Sequence, residues 1–542
     1  MNSSALDTGK AVVEYKPNTL GRVHLHDKGT NQIILIPTPS EDPDDPLNWP
    51  TIQKYYLAGL VCVGVFLVNF VAAGPAVALE QITKDLVGPG ESPSEFMASI
   101  STVAYTQTVF SLMIGVGNLI WVPLAIKYGK RPVYIAAFLL MVGSNIWGRC
   151  ANAFGSELAS RIVYGFAGAA PEIVATLILT DLFFLHQRGA VMVLYTCALT
   201  GGVGAGIVIS GLITVNHGWR MIYWVCQALI STCAVLVLFT LPETGWRRQT
   251  AAATDLNGAE DKTQGAHMEV AVYAGGPSGP SHQKRRRFRG SLGPFSTTYT
   301  QESLLTLIIR PIVALSLPAV LWASLVNSVT IGMVILISTN FSTAFRETYG
   351  FQTWQSGLTY VSSIVGSLIA ILSGGKITDS LAHSLTTRNN GIRTPEMRLP
   401  IMIIPLISGP LGCMLYGVGI EKSFHWICPV IEIGLVSFTT VQSNNVSLVY
   451  ILDSYRPISG EVVVMQTVFR AAFGFLLNFY ANPWIQQQGY TAVFGILAGI
   501  SAGVFLFAVP LYVYGDQLRT ASWGWGFIRR YLHLNIDREV GE

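Results

Sequence analysis

Apolar residues along this chain collect into runs of about 20, long enough for an α-helix to cross the hydrocarbon core of a bilayer. Polar loops separate the runs and carry most of the charge. We predict twelve transmembrane helices and therefore an all-α membrane protein, with helices at residues 55–79, 98–123, 132–150, 156–180, 189–213, 221–241, 311–338, 356–375, 399–419, 424–448, 461–481 and 491–514.

A long polar segment divides these runs into two sets of six. Residues 242–310 are rich in Gly, Ser, Thr and Gln and predict a disordered cytoplasmic linker, whose basic run KRRRFR suits anionic lipid headgroups or simple retention on the inner side. The loops after the second and eighth runs are similar, which indicates two pseudo-symmetric six-helix bundles. The predicted regions are a tail at 1–54, bundles at 55–241 and 311–514, and a tail at 515–542.

The distribution of charge predicts the orientation. Loops on one side carry Lys127, Lys130 and Arg131 and the linker's basic run, whereas basic residues on the other side mostly stand beside acids. An excess of Lys and Arg marks the cytoplasmic side, so both termini are expected there. The composition agrees with a membrane protein, since 51% of residues are hydrophobic and only 12% are charged. A net charge of +3 gives no reason to expect nucleic acid as a partner.

Five segments together resemble a known family. They are DPDDPLNWP at 42–50, PLAIKYGKRPV at 123–133, Arg161 to Gly165, Asp181 with Arg188 and Gly189, and RNNGIRTPEMRL at 388–399. This set resembles the fungal drug:proton-antiporter-like branch of the major facilitator superfamily, which is similar to carriers of polyamines, histidinol and secondary metabolites. The resemblance implies a monomeric transporter that moves a small organic molecule with protons by alternating access, without a cofactor or a metal. It implies the plasma membrane as the location, with an internal membrane such as the vacuole as the alternative.

The sequence departs from that family pattern at three positions. Ile126 stands where the wider superfamily has an acid, and Val203 and Ile207 stand where prolines are expected in the fifth helix. These departures weaken the interpretation as a drug exporter. Export of a drug or secondary metabolite and import of a polyamine-like cation both remain open.

Ionisable residues inside apolar runs are costly in lipid and are therefore candidates for substrate or proton binding. Arg161 and Glu172 lie on one face of the fourth predicted helix, about 16 Å apart. Glu432 and Arg470 lie in the tenth and eleventh predicted helices, and Arg470 needs Glu432, Glu172 or a substrate anion as partner. The alternative for each residue is a structural contact between helices. Further candidates for hydrogen bonds to substrate are Asn69, Gln107 and Asn327.

Residues at the cytoplasmic ends of the predicted helices are candidates for conformational control. The basic loop Lys127, Gly129, Lys130 and Arg131 is expected to contact acids nearby in one state and not in the other. The candidate partners and neighbours are Asp181, Arg188, Asp379, Asp453 and Glu461. Asn340 begins the sequon Asn-Phe-Ser on the predicted outer side and is a possible glycosylation site.

Other functions have less support. No histidine lies deep in an apolar run and no HExxH pattern occurs, which argues against an enzyme. No GxxxxGK[ST] pattern occurs, which argues against an ATP-driven pump. A membrane receptor with a transporter fold remains the alternative to a carrier.

Overall fold

The computed structural model describes residues 42, 44–88, 92–246, 300, 302–389, 394–455 and 458–532. These ranges contain no β-strand. The part of the predicted N-terminal tail before residue 42 and the basic run at 284–289 lie outside them. The α-helices are α1 (Thr51–Ala73), α2 (Leu79–Leu86), α3 (Pro93–Tyr128), α4 (Lys130–Arg149), α5 (Phe154–Leu182), α6 (Leu185–Ile213), α7 (Arg220–Thr240), α8 (Leu304–Ala314), α9 (Pro318–Tyr349), α10 (Thr353–Leu358), α11 (Val361–Arg388), α12 (Ile403–Glu421), α13 (Ile427–Ser454), α14 (Ser459–Leu506), α15 (Ala508–Trp523) and α16 (Gly526–Leu532).

Within the described ranges, helical segments at ten of the twelve predicted positions are long and apolar enough to cross a membrane. The chain is thus a multi-pass membrane protein. Helices α4 and α13 occupy the remaining two positions, the third and the tenth. Polar residues such as Gln442, Asn444 and Asn445 make α13 less apolar than its neighbours. That these two helices also cross the membrane stays a prediction.

Helix α8 begins at Leu304, inside the range predicted as linker. The Ser303 hydroxyl accepts a hydrogen bond from the Thr306 N–H at 3.2 Å and so starts the helix. Arg310 then pairs with Glu302 at 2.8 Å. Local capping and one ion pair therefore give helical structure to residues that composition alone assigns to a polar linker.

The end of the last bundle also differs from the prediction. Helix α15 continues to Trp523, beyond the predicted boundary at 514. Arg519 on this helix is 2% exposed and forms ion pairs with Glu396 and Asp516. These pairs stabilise a helical segment that sequence hydropathy places in a tail.

Close approach of helices depends on glycine in both halves. A Cβ atom on Gly165 would lie 2.6 Å from the carbonyl oxygen of Phe110, and one on Gly117 would lie 2.7 Å from that of Phe166. These glycines let the backbones of α3 and α5 touch. Helix α14 then contacts α3 across the two halves, where Gly115 meets Ala471.

Helix α14 changes direction at Gly489. This residue has φ 80° and ψ 168°, a conformation that strongly favours glycine. A carboxylate oxygen of Glu421 accepts the backbone N–H of Thr491 at 2.7 Å, directly after the break. A capped kink thus joins the predicted eleventh and twelfth helices without a loop.

Candidate functional site

An ion pair between the two halves forms the centre of the candidate site. Arg470 on α14 donates a hydrogen bond to Glu172 on α5, and the distance from Nη2 to Oε1 is 2.7 Å. The side chains are only 14% and 6% exposed, respectively. The Tyr195 hydroxyl on α6 donates to the backbone carbonyl of Glu172 at 3.3 Å. Of the two carboxylates predicted as partners for Arg470, Glu172 is the one that it contacts in the structure.

The two charges of this pair depend on each other. Each buried charge compensates for the other, and removing one partner of such a pair costs about 3–5 kcal/mol because the second charge is left unpaired. Loss of the negative charge of Glu172 would leave the guanidinium of Arg470 without its carboxylate partner.

Arg161 belongs to a separate cluster within the first half. It is 2% exposed and its Nε lies 3.1 Å from Oε1 of Glu157, one helical turn earlier. It also donates to the Tyr223 hydroxyl and, at 3.3 Å, to the carbonyl oxygen of Val71. Tyr223 in turn donates to Glu157. These bonds connect α5, α7 and α1, and none of them joins Arg161 to Glu172.

Glu432 lies apart from both clusters. Its residue is 0% exposed, and neither carboxylate oxygen has a hydrogen-bond partner in the described part of the chain. It does not pair with Arg470, whose carboxylate partner is Glu172.

The predicted polar side chains occupy different settings. The amides of Asn69 and Asn340 donate to carbonyls of their own helices, at 3.0 Å each, from Asn69 to Val65 and from Asn340 to Leu336. Gln107 is half-buried on α3. Asn327 is 7% exposed, and its side-chain oxygen has no partner within the described ranges. Glycosylation of Asn340, which lies within α9, stays a prediction.

The junction of α3 and α4 holds the predicted basic loop. Gly129 has φ 101° and separates the two helices by one residue. Lys130 pairs with Asp181 of α5 and donates to the Leu177 carbonyl at 3.2 Å. We call this side of the molecule the basic end. The Lys130–Asp181 pair ties α4 to α5 and lies within one half, so by itself it does not hold the two halves together.

A carboxylate from the predicted linker range completes the basic end. Glu243 accepts the backbone N–H groups of Lys130 and Arg131, both at 3.0 Å. The Arg131 side chain donates to the carbonyl of Leu241 at 2.7 Å. Lys127 reaches the carbonyl of Glu302 at 3.2 Å, so the junction also contacts the residues before α8.

The other predicted control residues have fewer described contacts. Asp453 lies 3.6 Å from Arg398, and Glu461 lies buried in the first turn of α14. Arg188 and Asp379 lie on α6 and α11, and their side chains are outside the described part.

Contacts at the opposite end, which we call the Glu80 end, join the two halves. Glu80 of α2 pairs with Arg346 of α9 and with Lys84 at 2.7 Å. The Ser342 hydroxyl donates to the carbonyl of Val77 at 3.2 Å. Gly211 on α6 and Gly357 on α10 face each other, and a Cβ on either one would lie 3.2 Å from the Cα of the other. The structure is therefore closed at this end.

Sequence reasoning missed several of these partners. The spacing of Glu157 and Arg161, four residues apart in an apolar run, was an available signal for an intrahelical pair. Tyr223, Glu243 and the Glu80–Arg346 pair had no such signal, because their partners are distant in sequence.

The fold and the charged site between its halves define a membrane transporter. The chain belongs to the Major Facilitator Superfamily, whose profile matches residues 59–458. Fungal members of the superfamily are among its relatives. It is 27% identical to MFS transporter cpaT of Aspergillus oryzae, covering 89% of this chain and 90% of that protein. It is 24% identical to Efflux pump radE of Floropilus chiversii, covering 89% and 84%.

Solved structures agree on the fold. The xylose transporter XylE from E. coli superposes with a TM-score of 0.56 at 12% identity, covering 84% of this chain and 99% of that one. The profile match confirms the resemblance to the superfamily that was inferred from the sequence motifs.

Proposed function

We propose that this protein is a proton-coupled secondary active transporter that moves a small organic molecule by alternating access. It crosses the plasma membrane twelve times as a monomer, with both termini and the basic end in the cytoplasm. The observation that carries the proposal is the Glu172–Arg470 ion pair, which joins the two halves at 2.7 Å in a nearly buried position. A pair of this kind couples a proton to the contact between the halves.

The mechanism follows from that pair. Protonation of Glu172 neutralises it and weakens the contact between α5 and α14, so that Arg470 becomes available to an acceptor on the substrate. Movement of the halves then breaks the contacts at the Glu80 end, where Glu80 meets Arg346 and Gly211 meets Gly357. Loss of the proton on the other side restores the pair and returns the carrier to its starting state.

Flux measurements in liposomes test this proposal. The full-length protein is reconstituted, a pH gradient is imposed in either direction, and labelled polyamines, amino-acid derivatives, organic acids and hydrophobic drugs are screened. We expect gradient-dependent accumulation of at least one compound, and the effective gradient direction distinguishes import from export. Absence of gradient-dependent flux for every compound favours the receptor alternative and overturns the proposal.

Substitution of the central carboxylate tests the site. Glu172→Gln is expected to abolish accumulation against a gradient, because the neutral amide imitates the protonated state permanently. Glu95→Gln, at an exposed position in the first turn of α3, is the matched control and should accumulate substrate like the wild type. Undiminished accumulation by Glu172→Gln contradicts the assignment of Glu172.

A further inference from the structure

Residues 74–86, which we call the closing segment, contact the second half at the Glu80 end. They consist of a short 3-10 helix followed by α2. Within the segment, the carbonyl oxygen of Val77 accepts the hydroxyl of Ser342 at 3.2 Å, and Glu80 pairs with Arg346. Both partners belong to α9. These contacts lie between the two ends of the closing segment, so their geometry depends on how each end is held.

The beginning of the closing segment is fixed by tight packing inside the first half. A Cβ on Gly74 would lie 2.6 Å from the hydroxyl oxygen of Ser210 on α6 and 3.5 Å from the side chain of Ile222 on α7. All three residues are buried. Dense packing of this kind leaves little room for movement of this end relative to α6 and α7.

The other end of the closing segment is attached by Asp85. Its Oδ2 atom accepts the indole N–H of Trp219 at 2.8 Å and a guanidinium N–H of Arg220 at 2.6 Å. Trp219 directly precedes α7, and Arg220 begins it. These bonds tie the end of α2 to the first half, five residues after Glu80, whose partner Arg346 belongs to the second half.

The two donors are themselves held in place. Trp219 is 2% exposed, and its ring meets that of Tyr223 edge to face, with the centroids 5.7 Å apart. Tyr223 belongs to the buried cluster of Arg161. The Arg220 guanidinium lies 4.4 Å from the Trp219 ring centroid and donates to the carbonyl oxygen of Ala151 at 3.4 Å. The carboxylate on α2 is thus bonded to groups whose positions the first half determines.

Helix α2 depends on such attachments. It has only eight residues, and an isolated α-helix of that length is not stable in water. Its buried residues, Leu79, Ile82 and Thr83, all precede Asp85. The bonds of Asp85 therefore supply a polar attachment near the end of the helix, where burial contributes less. Because α2 is continuous, they also affect where Glu80 stands.

We propose that Asp85 is a positioning residue for closure of the Glu80 end. Its bonds to α7 hold α2 at the place where Glu80 reaches Arg346. The bonds described for Asp85 all go to the first half. Their loss would open this end without altering any side chain that pairs with the second half. Opening and closing of this end are part of the proposed function, on which this role of Asp85 rests.

Thiol labelling at the Glu80 end tests this role. In the full-length protein in lipid nanodiscs, a water-soluble thiol reagent reacts with Ser342→Cys, and labelling measured without that substitution is subtracted. Asp85→Ala removes both bonds and introduces a better helix former, so α2 itself is not weakened. We expect labelling to become about two- to fivefold faster, the range expected for loss of an exposed ion pair.

An exposed acid at the same end supplies the matched control. Glu95→Ala, in the first turn of α3, should leave the labelling rate of Ser342→Cys unchanged. A rate in Asp85→Ala equal to that of the wild type overturns the proposal.

Conservative and double variants distinguish positioning from general loosening of the fold. Arg220→Lys keeps a charged donor for Asp85 and should be labelled more slowly than Arg220→Gln, and equal rates contradict the role of Asp85. Glu80→Gln weakens the contact with Arg346 directly, so adding Asp85→Ala to it should accelerate labelling less than in the wild-type background. Full multiplication of the two effects would mean that Asp85 acts independently of Glu80, against the proposal.

The labelling measurement needs neither a substrate nor a pH gradient. Gradient-driven flux in the wild type, together with an unchanged labelling rate in Asp85→Ala, would overturn the role of Asp85 and leave the proposed function intact. Absence of flux together with faster labelling in Asp85→Ala would support the role of Asp85 in closure and contradict transport.

Discussion

At the scale of single residues, the buried charges of this transporter divide into two kinds. Arg161 is surrounded by partners of its own half and connects three helices of that half. Arg470 has its carboxylate partner in the other half. The first arrangement stabilises a bundle, and the second depends on the position of one bundle relative to the other. Arg161 thus connects helices of the half that holds Glu172, and its predicted role in binding stays a prediction.

The Arg161 cluster gives a prediction about stability. Glu157→Gln should lower the free energy of unfolding by about 3–5 kcal/mol, because Arg161 is left with an uncompensated buried charge. Tyr223→Phe should cost less, about 1–3 kcal/mol, since it removes hydrogen bonds to a pair that stays intact. Thermal unfolding of the purified variants in the same detergent shows the order of their stabilities. Tyr128→Phe, at an exposed position of the same half, is the control, and equal stability of all three variants contradicts the structural role.

The residues of the candidate site were predictable one at a time but not as a set. Glu172 and Arg470 stand out because a charge within an apolar run is costly. Their contact is between positions 298 residues apart, and nothing in a single sequence fixes such a pairing. Glu432 stands out for the same reason as the others, whereas its complete burial follows only from the packing of α11 to α13.

At the scale of helices, small residues determine where the two halves can touch. The glycine run of α6 packs closely against its neighbours at specific positions. Cβ atoms on Gly202 and Gly206 would lie 2.4 Å and 2.5 Å from carbonyl oxygens of Phe66 and Phe70 on α1. Farther along the same helix, Gly211 meets Gly357 of the other half. Helix α6 therefore packs closely both against α1 within its own half and against the other half.

Enlarging Gly357 should disturb the closed end. Gly357→Val places methyl groups against Gly211 and the carbonyl of Ile207, where the added Cβ already has only 3.2 Å of room. We expect the Glu80 end to open more often, so that a membrane-impermeant thiol reagent labels Ser342→Cys faster in this variant. Labelling of the native cysteines is measured in each protein without the Ser342→Cys substitution and is subtracted.

A glycine with open space around it supplies the control for that experiment. A Cβ on Gly143 of α4 would have no atom of the described chain within 4 Å, so Gly143→Val should leave the labelling rate of Ser342→Cys unchanged. Slower or equal labelling in Gly357→Val would contradict the view that this glycine pair permits closure.

At the scale of the whole molecule, the contacts between the halves in the described part of the chain include two ion pairs and one close contact of glycines. The Glu172–Arg470 pair is nearly buried, the Glu80–Arg346 pair is partly exposed, and the Gly211–Gly357 contact is apolar. Exposed ion pairs contribute about 0–1 kcal/mol, whereas buried ones cost more to break. The Glu80–Arg346 pair is therefore easier to separate than the Glu172–Arg470 pair.

Exchange of charges at the Glu80 end tests that contact in the intact transporter. Glu80→Arg replaces an attraction to Arg346 by repulsion and should shift the closed–open equilibrium by about fivefold or less, as expected for an exposed pair worth about 1 kcal/mol. The double variant Glu80→Arg with Arg346→Glu should recover part of the closed population. Thiol labelling of Ser342→Cys reports both shifts. Additive effects of the two substitutions, without recovery, would show that the pair does not contribute to closure.

Much of the architecture was predictable because lipid imposes long apolar segments. Helices stand at all twelve predicted positions, and ten of them are apolar enough to span. The prediction was less accurate where polar contacts decide the structure. Ser303 and Arg310 organise α8 within the predicted linker, and Arg519 extends α15 past the predicted boundary. Gly489 joins two predicted helices through a kink that hydropathy does not reveal.

The central ion pair also has an electrical consequence. With Glu172 ionised, the pair with Arg470 has no net charge, so its displacement during a conformational change does no work against the membrane potential. A proton on Glu172 leaves the positive charge of Arg470 unbalanced. The electrostatic energy of a unit charge that crosses the full membrane field changes by about 2.3 kcal/mol per 100 mV. Under the proposed mechanism, voltage therefore acts on the protonated carrier alone, unless the substrate brings a negative charge that cancels it.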